Sequence, residues 1–320
     1  MTSNIPVHFN GHRYHVHNEW IKRHYGGRMQ KVSLDAGFTC PNRDGTRGKG
    51  GCTFCNNNGF SPDYLRLHKD LDAQIEAGLD FMRHRYPKTH GFLAYFQPYS
   101  NTYADLSHLK SIYEQALAHP DIAGLVIGTR PDCLPDDVLD YLAELSKHTI
   151  VELEIGLESC NNGVLERCNR GHTFEETRNA VQRAAERHLF ITCHLLLGLP
   201  GETRETFQTS IPELVQLPFN SLKFHQLQIV KGTQLAREWR ENPESFSTLP
   251  MEEYLDWVVD VLEYLPPEVT VQRLSSEVPE RLRLSTGWNK LLCDLPALLE
   301  EVLVRKDTWQ SRLRCSSSSR

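Results

Sequence analysis

Short apolar runs alternate with amphipathic segments along most of the chain after residue 90, and one more run lies near residue 31. Runs of four to eight residues rich in β-branched and aromatic side chains are typical of strands. The six predicted strands are KVSL (31–34), FLAYFQ (92–97), GLVIGT (124–129), VELEIGLE (151–158), FITCHLLL (190–197) and LKFHQLQI (222–229). Strands that alternate with helices predict parallel pairing with right-handed crossovers. Such an order is typical of a doubly wound sheet or of a β/α barrel.

The segments between these runs begin like helices. The segments 104–119 and 136–148 carry acidic residues in their first turns, where a helix dipole favours negative charge. Thr173 and Glu176 have the spacing of a capping box, so a helix is predicted from Phe174.

The strand VELEIGLE distinguishes the two folds. Because side chains alternate along a strand, Glu152, Glu154 and Glu158 share one face and the aliphatic residues share the other. A sheet that helices cover on both sides is apolar on both faces, so these carboxylates favour a polar barrel interior. An edge strand with a solvated face is the alternative. We predict an α/β fold, a partial (β/α)6 TIM-like barrel with its function at the C-terminal ends of the strands.

The pattern changes near residue 240. A helix is predicted over 250–265, a further candidate strand over 266–274 and a last helix over 294–309. We therefore predict two parts, a barrel with its N-terminal cysteine loop (1–240) and a C-terminal helical extension that packs on it (241–320). Candidates for substrate contacts from the extension are Arg273, Trp288 and Lys290.

Composition narrows the class of protein. The 320 residues are 39% hydrophobic, and no apolar run is long enough to span a membrane. The first 20 residues lack the apolar stretch of a signal peptide, so a cytoplasmic protein is expected. Nine cysteines in such a protein argue against a disulfide framework. The net charge of −6 gives no chain-wide case for nucleic-acid binding, although Arg43, Arg47 and Lys49 form a local basic group.

Three cysteines lie together in the glycine-rich segment FTCPNRDGTRGKGGCTFC, one C-x2-C pair and one upstream cysteine separated from the pair by eleven residues. A structural zinc site takes four ligands, and no spacing here supplies the fourth. Three thiolates suit a four-iron cluster whose fourth iron is open. Cys40, Cys52 and Cys55 are therefore candidate cluster ligands, and zinc stays an alternative.

Other polar residues follow the predicted strands. Arg170, in CNRGHT just before a predicted helix, suits a carboxylate clamp or a surface pair with Glu166. The segment HLLLGLPGET (194–203) places a tight glycine turn after a strand with a polar face. Candidate substrate or catalytic residues at the strand ends are Tyr99, Arg130, Asp132, His194 and His225. Arg130 suggests a carboxylate or phosphate on the substrate, whereas either histidine also suits a packed core.

The cysteine segment, ELEIGLES, NRGHT, HLLLGLPGET and QIVKGTQL occur in this order and together resemble the radical S-adenosylmethionine superfamily. YFQPYSNTY, IGTRPDCLP and LKFHQL look like the bacterial YhcC/YtqA-type group, whose barrel core is similar to that of the elongator catalytic subunit. The resemblance covers residues 12 to 310.

The resemblance implies the site. Cys40, Cys52 and Cys55 would ligate a [4Fe–4S] cluster whose open iron takes the methionyl group of S-adenosylmethionine. One-electron reduction would then yield a 5′-deoxyadenosyl radical that abstracts hydrogen from a substrate. Gln97 stands where relatives carry Gly-Gly-Glu, and Glu158 where they often carry Gln. The implied contacts to S-adenosylmethionine come from Phe54, Gln97, Glu158, Ser159, Arg170, Gly198, Gly201 and Gln228.

The partners are an electron donor such as flavodoxin or ferredoxin, and a substrate. The acidic balance favours a small molecule, and the elongator-like core suggests a tRNA nucleotide as the second choice. A non-catalytic iron–sulfur or zinc module that binds a partner is the rival function. An ordinary β/α-barrel lyase or aldolase is a further alternative.

Overall fold

The computed structural model describes residues 9–59, 61–244, 246, 248–276, 278–285, 287–288 and 292–314. Within these ranges seven strands form one parallel sheet, in which each strand pairs with the next one along the chain. They are β1 (Met29–Leu34), β2 (Gly91–Phe96), β3 (Ile122–Thr129), β4 (Ile150–Glu158), β5 (Phe190–Leu197), β6 (Ser221–Gln226) and β7 (Thr270–Arg273).

Helices follow the strands and cover the outer side of the sheet. The α-helices of the described residues are α1 (His17–Tyr25), α2 (Pro41–Asp44), α3 (Tyr64–Leu67), α4 (Leu71–Arg85), α5 (Leu106–Leu117), α6 (Asp136–Ser146), α7 (Asn162–Arg167), α8 (Phe174–Glu186), α9 (Arg204–Leu214), α10 (Gln234–Glu241), α11 (Met251–Leu262) and α12 (Leu295–Arg305). The predicted capping box is present, because Thr173 and Glu176 each accept from the other's backbone N–H at the start of α8.

The sheet curls into a half-barrel, so the predicted α/β partial barrel is confirmed. The aliphatic side chains of β4, such as Leu153 and Ile155, join the main hydrophobic core between sheet and helices. The carboxylates on the other face of β4 are buried as well, with Glu152 4% and Glu154 1% exposed. Because β4 lies between β3 and β5, the alternative of a solvated edge strand is wrong.

Two details of the strand prediction change. The last predicted barrel strand, 222–229, ends at Gln226. The candidate strand in 266–274 forms as β7 and hydrogen-bonds with β6, so the sheet has seven strands where six were predicted. β7 is the last strand of the sheet, and Val271 also donates its N–H to the carbonyl of His15, just before α1.

The C-terminal residues pack on the barrel through α11. This helix contacts α9 and α12, and the rings of Phe207 and Trp257 stack with centroids 4.8 Å apart. Because β7 belongs to the barrel sheet, the segment 241–320 contributes to the barrel itself. The boundary at residue 240 stays a prediction.

None of the helices in the described ranges combines the length and the apolar character needed to cross a bilayer.

Candidate functional site

The C-terminal ends of the strands open into one cavity, and the cysteine loop forms part of its wall. Side chains from β2, β4, β5, β6 and β7 contribute, as do residues just after β2, β3 and β6. The residues from the cysteine loop and its continuation are Cys40, Asn42, Arg43, Gly51, Cys52, Phe54, Cys55, Asn57 and Ser61.

The cysteine loop is shaped by a short helix and by glycine. Pro41 begins α2, and Gly45 ends it in the left-handed conformation, at φ +94°. Gly51, at φ +82°, also needs the conformational freedom of glycine. A Cβ atom on Gly51 would lie 3.0 Å from the guanidinium of Arg43, so glycine lets that side chain cross the loop.

Hydrogen-bond donors lie close to the three sulfur atoms. Arg170 Nη1 is 3.4 Å and Asn42 Nδ2 is 3.7 Å from Cys52 Sγ. Arg43 Nη2 is 3.7 Å from Cys55 Sγ, and the Ser100 hydroxyl is 3.3 Å from Cys40 Sγ. Donors and cations at sulfur stabilise thiolates and the clusters that thiolates hold.

The protonation of the three cysteines bears on whether they can bind a metal. All three are free thiols. Burial raises the pKa of Cys40, and burial together with neighbouring Cys52 raises the pKa of Cys55 to about 11. Binding of a metal removes such protons. Among the described residues, no group of three His, Cys, Asp or Glu side chains has the arrangement of a single-ion site.

Arg170 connects the cysteine loop to β4. Its Nη2 donates to the Gly156 carbonyl at 2.9 Å and lies 3.3 Å from Glu158 Oε1. A Cβ atom on Gly156 would lie 2.3 Å from that Nη2, so glycine is what allows the arginine to reach the strand. Glu158 has φ +66°, an uncommon conformation for a residue with a side chain, at the point where β4 shifts register against β5. The left-handed turn places the Glu158 carboxylate at the cavity.

Arg130 and Asp132 form a buried ion pair. Arg130 Nε and Nη2 donate to the two carboxylate oxygens at 2.9 and 2.8 Å, and Nη1 donates to the Arg170 carbonyl at 2.6 Å. Arg130 is 2% exposed. Its guanidinium is therefore already neutralised, and it supports the backbone that carries Arg170.

Glu154 lies at the centre of a charged network inside the barrel. It accepts hydrogen bonds from Lys223 at 2.8 and 2.9 Å, from Lys31 at 2.7 Å, from the Tyr95 hydroxyl at 2.6 Å and from His194 Nε2 at 2.8 Å. Five hydrogen bonds satisfy a carboxylate that is otherwise costly to bury.

Glu152 occupies the next inward position of β4. Lys31 Nζ lies 2.9 Å from its Oε2, and Thr192 and Gln272 each donate to Oε1 at 2.6 Å. The partners of Glu152 and Glu154 come from β1, β2, β5, β6 and β7.

The pKa values of the side chains in this network are set by burial and by the ion pairs. Burial alone would raise the pKa of Glu154, but Lys223, Lys31 and His194 outweigh it and hold that pKa well below its usual range. Burial lowers the pKa of Lys223 to about 8, and Glu154 offsets only part of that effect. Burial, with Lys223 nearby, also lowers the pKa of His194. Glu154 is therefore ionised and His194 neutral at pH 7.

The cavity brings together most of the residues singled out from the sequence. Lining it are Cys40, Cys52, Phe54, Cys55, Gln97, Tyr99, Arg130, Glu158, Arg170, His194, His225, Gln228 and Arg273. The side chain of Gln228 donates a hydrogen bond to the Ser276 carbonyl and accepts one from the Val278 N–H. A ligand would therefore be contacted by the backbone of Gln228 and not by its side chain.

Other predicted residues lie outside this cavity. Asp132 faces Arg130, and the Ser159 hydroxyl donates to Glu202 at 2.6 Å. Gly198 and Gly201 have φ of +83° and +90° but do not line the cavity. Trp288 packs on Tyr254 and donates to the Leu249 carbonyl, which makes it a core residue. Lys290 lies outside the described residues.

Sequence reasoning missed several residues that the structure brings into the site. Asn42 bonds the Arg170 carbonyl at 2.9 Å as well as approaching Cys52, and Ser100 lies beside Cys40. Lys31 meets Glu152 and Glu154, two of the three carboxylates of β4. The alternation of side chains along 31–34 places Lys31 and Ser33 on one face of β1. This pattern in the sequence could have identified Lys31 as a residue of the polar interior.

Comparison with protein families agrees with this arrangement. A model of the Radical SAM superfamily matches residues 42–212, and a model of the Radical_SAM C-terminal domain matches residues 219–301. The chain belongs to the radical SAM superfamily. Members of this superfamily are enzymes that typically use a [4Fe–4S] cluster and S-adenosylmethionine.

Two bacterial relatives cover most of the chain, and an archaeal one covers about half of it. Protein YhcC of Escherichia coli is 38% identical over 269 residues, which are 84% of this chain and 85% of that protein. YtqA of Bacillus subtilis is 33% identical over 300 residues, which are 94% and 92%. A tRNA uridine(34) acetyltransferase of Methanocaldococcus jannaschii is 26% identical over 158 residues, which are 48% of this chain and 28% of that enzyme. The YhcC/YtqA-type resemblance is confirmed.

The fold is shared with a solved elongator-type protein. The archaeal Elp3 of Methanocaldococcus infernus superposes with a TM-score of 0.65 at 18% identity. The match covers 88% of this radical SAM chain and 64% of that one. At this identity the likeness shows the fold alone.

Proposed function

We propose that this protein is a radical S-adenosylmethionine enzyme that acts on a small molecule held inside the half-barrel. The observation that carries the proposal is the meeting of three free cysteines with a polar barrel interior in one cavity. When bound, a reduced [4Fe–4S] cluster and S-adenosylmethionine supply a 5′-deoxyadenosyl radical for hydrogen abstraction from the substrate.

Cys40, Cys52 and Cys55 hold the cluster in this proposal. A cluster with three thiolates is an anion, and Arg170 and Arg43 lie close enough to two of the sulfurs to offset its charge. Hydrogen bonds to the sulfurs favour the reduced form, which carries one more negative charge.

Arg170 and Glu158 are the principal contacts for S-adenosylmethionine. Arg170 binds the methionyl carboxylate and Glu158 accepts from the ribose hydroxyls. Phe54 packs on the adenine, Gln97 meets the methionyl amine, and Gln228 offers backbone groups. Ser159, Gly198 and Gly201 complete the proposed set by shaping the turns behind the cavity.

The substrate lies against the polar strand ends. Tyr99, His194 and His225 contact it, while Arg130 and Asp132 position Arg170. A molecule small enough to enter the barrel reaches the charged interior around Glu154. The cysteine loop also presents exposed Arg43, Arg47 and Lys49, which suit an acidic cytoplasmic electron donor such as flavodoxin or ferredoxin.

A tRNA nucleotide is the second candidate substrate. The likeness to a tRNA uridine(34) acetyltransferase over 48% of the chain favours it. The net charge of −6 weighs against a phosphate backbone as the main ligand.

The test is anaerobic reconstitution with iron and sulfide, followed by addition of dithionite and S-adenosylmethionine. We expect about four irons per chain and formation of 5′-deoxyadenosine. The variant that combines Cys40→Ala, Cys52→Ala and Cys55→Ala should lose both. Cys293→Ala, at an exposed cysteine outside the loop, is the matched control.

Each negative result of this experiment would favour a different alternative function. Iron binding without cleavage of S-adenosylmethionine would favour the non-catalytic iron–sulfur module. Stoichiometric zinc in place of iron would favour the zinc module, and a protein that binds neither metal would point to an ordinary β/α-barrel enzyme.

A further inference from the structure

Positive and negative charges inside the barrel balance on β1, β4 and β6. Lys31 pairs with Glu152 at 2.9 Å, and Lys223 pairs with Glu154 at 2.8 Å. His194, whose pKa is lowered by burial and by Lys223, adds no charge. Among the described residues, this part of the interior is therefore neutral overall, and Glu152 and Glu154 are both paired.

Arg273 adds a positive charge next to this balanced network. It is the last residue of β7. The register between β6 and β7 shifts so that the backbone of Lys223 lies opposite that of Arg273 in the sheet. Arg273 is exposed and lines the cavity. Among the described residues its guanidinium has no ion pair or hydrogen-bond partner, in contrast to Arg130 and Arg170.

The charge of Arg273 also contributes to the pKa values of two neighbouring side chains. Besides burial, both Lys31 and Arg273 lower the pKa of Lys223, which Glu154 only partly restores, to about 8. The pKa of His225 is lowered well below its usual range by burial, His194, Lys223 and Arg273, in that order. Among the described residues, the β6–β7 side of the cavity therefore carries the positive charge of Arg273 without a carboxylate paired to it.

His225 supplies a second polar group without a partner. Its side chain lines the cavity beside His194, with ring centroids 5.1 Å apart. Its Nε2 atom is buried and has no hydrogen-bond partner within the described part of the chain. A buried polar atom is costly unless it is bonded, so this nitrogen is suited to a ligand group.

From these observations we infer that the β6–β7 side of the cavity is a subsite for an anionic group, a carboxylate or a phosphate, of a small-molecule substrate. Arg273 is the ion-pair partner of that group, and neutral His225 donates a hydrogen bond from Nε2. The inference rests on the proposed function, because it specifies the substrate of the same cavity. It is separate from the methionyl carboxylate, which is assigned to Arg170.

The test uses inorganic phosphate and acetate, the smallest probes of the two anion types, on the reconstituted holoenzyme with S-adenosylmethionine bound. Phenylglyoxal, which modifies unpaired accessible arginines, is applied with and without each anion, and modification is measured at each arginine by mass spectrometry. Arg237 on α10, also exposed and outside the cavity, is the internal reference. We expect saturable protection of Arg273 by one or both anions on the order of tenfold, with Arg237 unaffected.

Thermal unfolding provides a second, independent measurement. The protecting anion should raise the Tm of the wild-type holoenzyme and of Arg237→Gln, and this rise should be absent in Arg273→Gln. Protection by phosphate alone indicates a phosphorylated substrate, and protection by acetate alone indicates a carboxylic acid.

The contrary results are equally specific. Equal labelling of Arg273 with and without both anions, or a full Tm rise in Arg273→Gln, would overturn the subsite. Protection by a short RNA and by neither free anion would overturn it in favour of a tRNA substrate. Labelling needs no turnover, so failure of the wild type to form 5′-deoxyadenosine would remove the proposed function separately from this result.

Discussion

Arg170 Nη1 lies 3.4 Å from Cys52 Sγ, so one guanidinium joins a cysteine of the loop to the end of β4. The same guanidinium reaches Glu158 through Nη2 at 3.3 Å. A single side chain thus sits between the proposed cluster and the proposed cofactor contact. Its charge lies next to the proposed cluster, and its position is linked to that of Glu158.

Replacing Arg170 should change the redox properties of the cluster. Arg170→Gln removes a positive charge and a charge-assisted hydrogen bond near Cys52, which destabilises the reduced form. We expect the reduction potential to fall by on the order of 50–100 mV, measured by potentiometry followed by electron paramagnetic resonance. Arg167→Gln, an exposed arginine paired with Glu238, should leave the potential unchanged. An unaltered potential in Arg170→Gln would contradict this role.

Gly156→Ala should disturb the same contact from the strand side. The new Cβ atom would lie 2.3 Å from Arg170 Nη2 and 2.8 Å from Glu158 Oε1, so both side chains must move. We expect S-adenosylmethionine affinity to fall about tenfold or more, as measured by equilibrium binding, while the far-ultraviolet circular dichroism is retained. Adding Arg170→Ser removes the closer of the two contacts, so the alanine should reduce the affinity less in the Arg170→Ser background than in the wild type. An equal loss in both backgrounds would mean that the glycine does not act through Arg170.

Glu154→Gln should destabilise the barrel strongly. It leaves Lys223 and Lys31 with only Glu152 as an anionic partner among the described residues, and an uncompensated buried charge costs about 3–5 kcal/mol. Urea unfolding measures this loss. Adding Lys223→Met should recover part of the free energy of unfolding, and Glu144→Gln, on the surface of α6, should change it by less than about 0.5 kcal/mol. Strict additivity in the Glu154–Lys223 cycle would contradict the pairing.

Glu202 should make the stability of the fold depend on pH. Burial raises its pKa from 4.5 to about 7, although the hydrogen bond from Ser159 works in the opposite direction. Because the folded protein holds this proton more tightly than the unfolded chain, the contribution of Glu202 to stability is full below pH 4.5. It is then lost as the pH rises through about 7.

Glu202→Gln, which stays neutral, should therefore be more stable than the wild type above pH 7 and equal to it at acidic pH. The gain should be on the order of 1 kcal/mol, since the half-buried carboxyl is partly screened by solvent. Thermal unfolding across pH measures it, with exposed Glu205→Gln as the control. A constant difference at all pH values would show that the carboxyl does not titrate as described.

Much of the barrel was predictable because strand alternation is a local property. The face shared by Glu152, Glu154 and Glu158 follows from spacing alone, and the burial of that face in β4 confirms the polar interior. The C-terminal strand was harder, because four residues of β7 carry little pattern of their own. Whether such a segment joins a sheet depends on the edge that β6 presents to it.

The amino-acid sequence by itself determined the three candidate cluster cysteines, the polar face of β4 and the membership of the superfamily. Each of these follows from the spacing of residues or from the order of motifs along the chain. Only the tertiary structure decided which charges meet. Lys31 and Glu154 are 123 residues apart, yet they touch because the sheet curls and brings β1 across the interior from β4. Arg130 and Asp132 pair locally, two residues apart, whereas Arg273 lines the cavity without an ion pair among the described residues. Alternation states which face a side chain occupies, but its partner depends on the packing of strands that are distant in the chain.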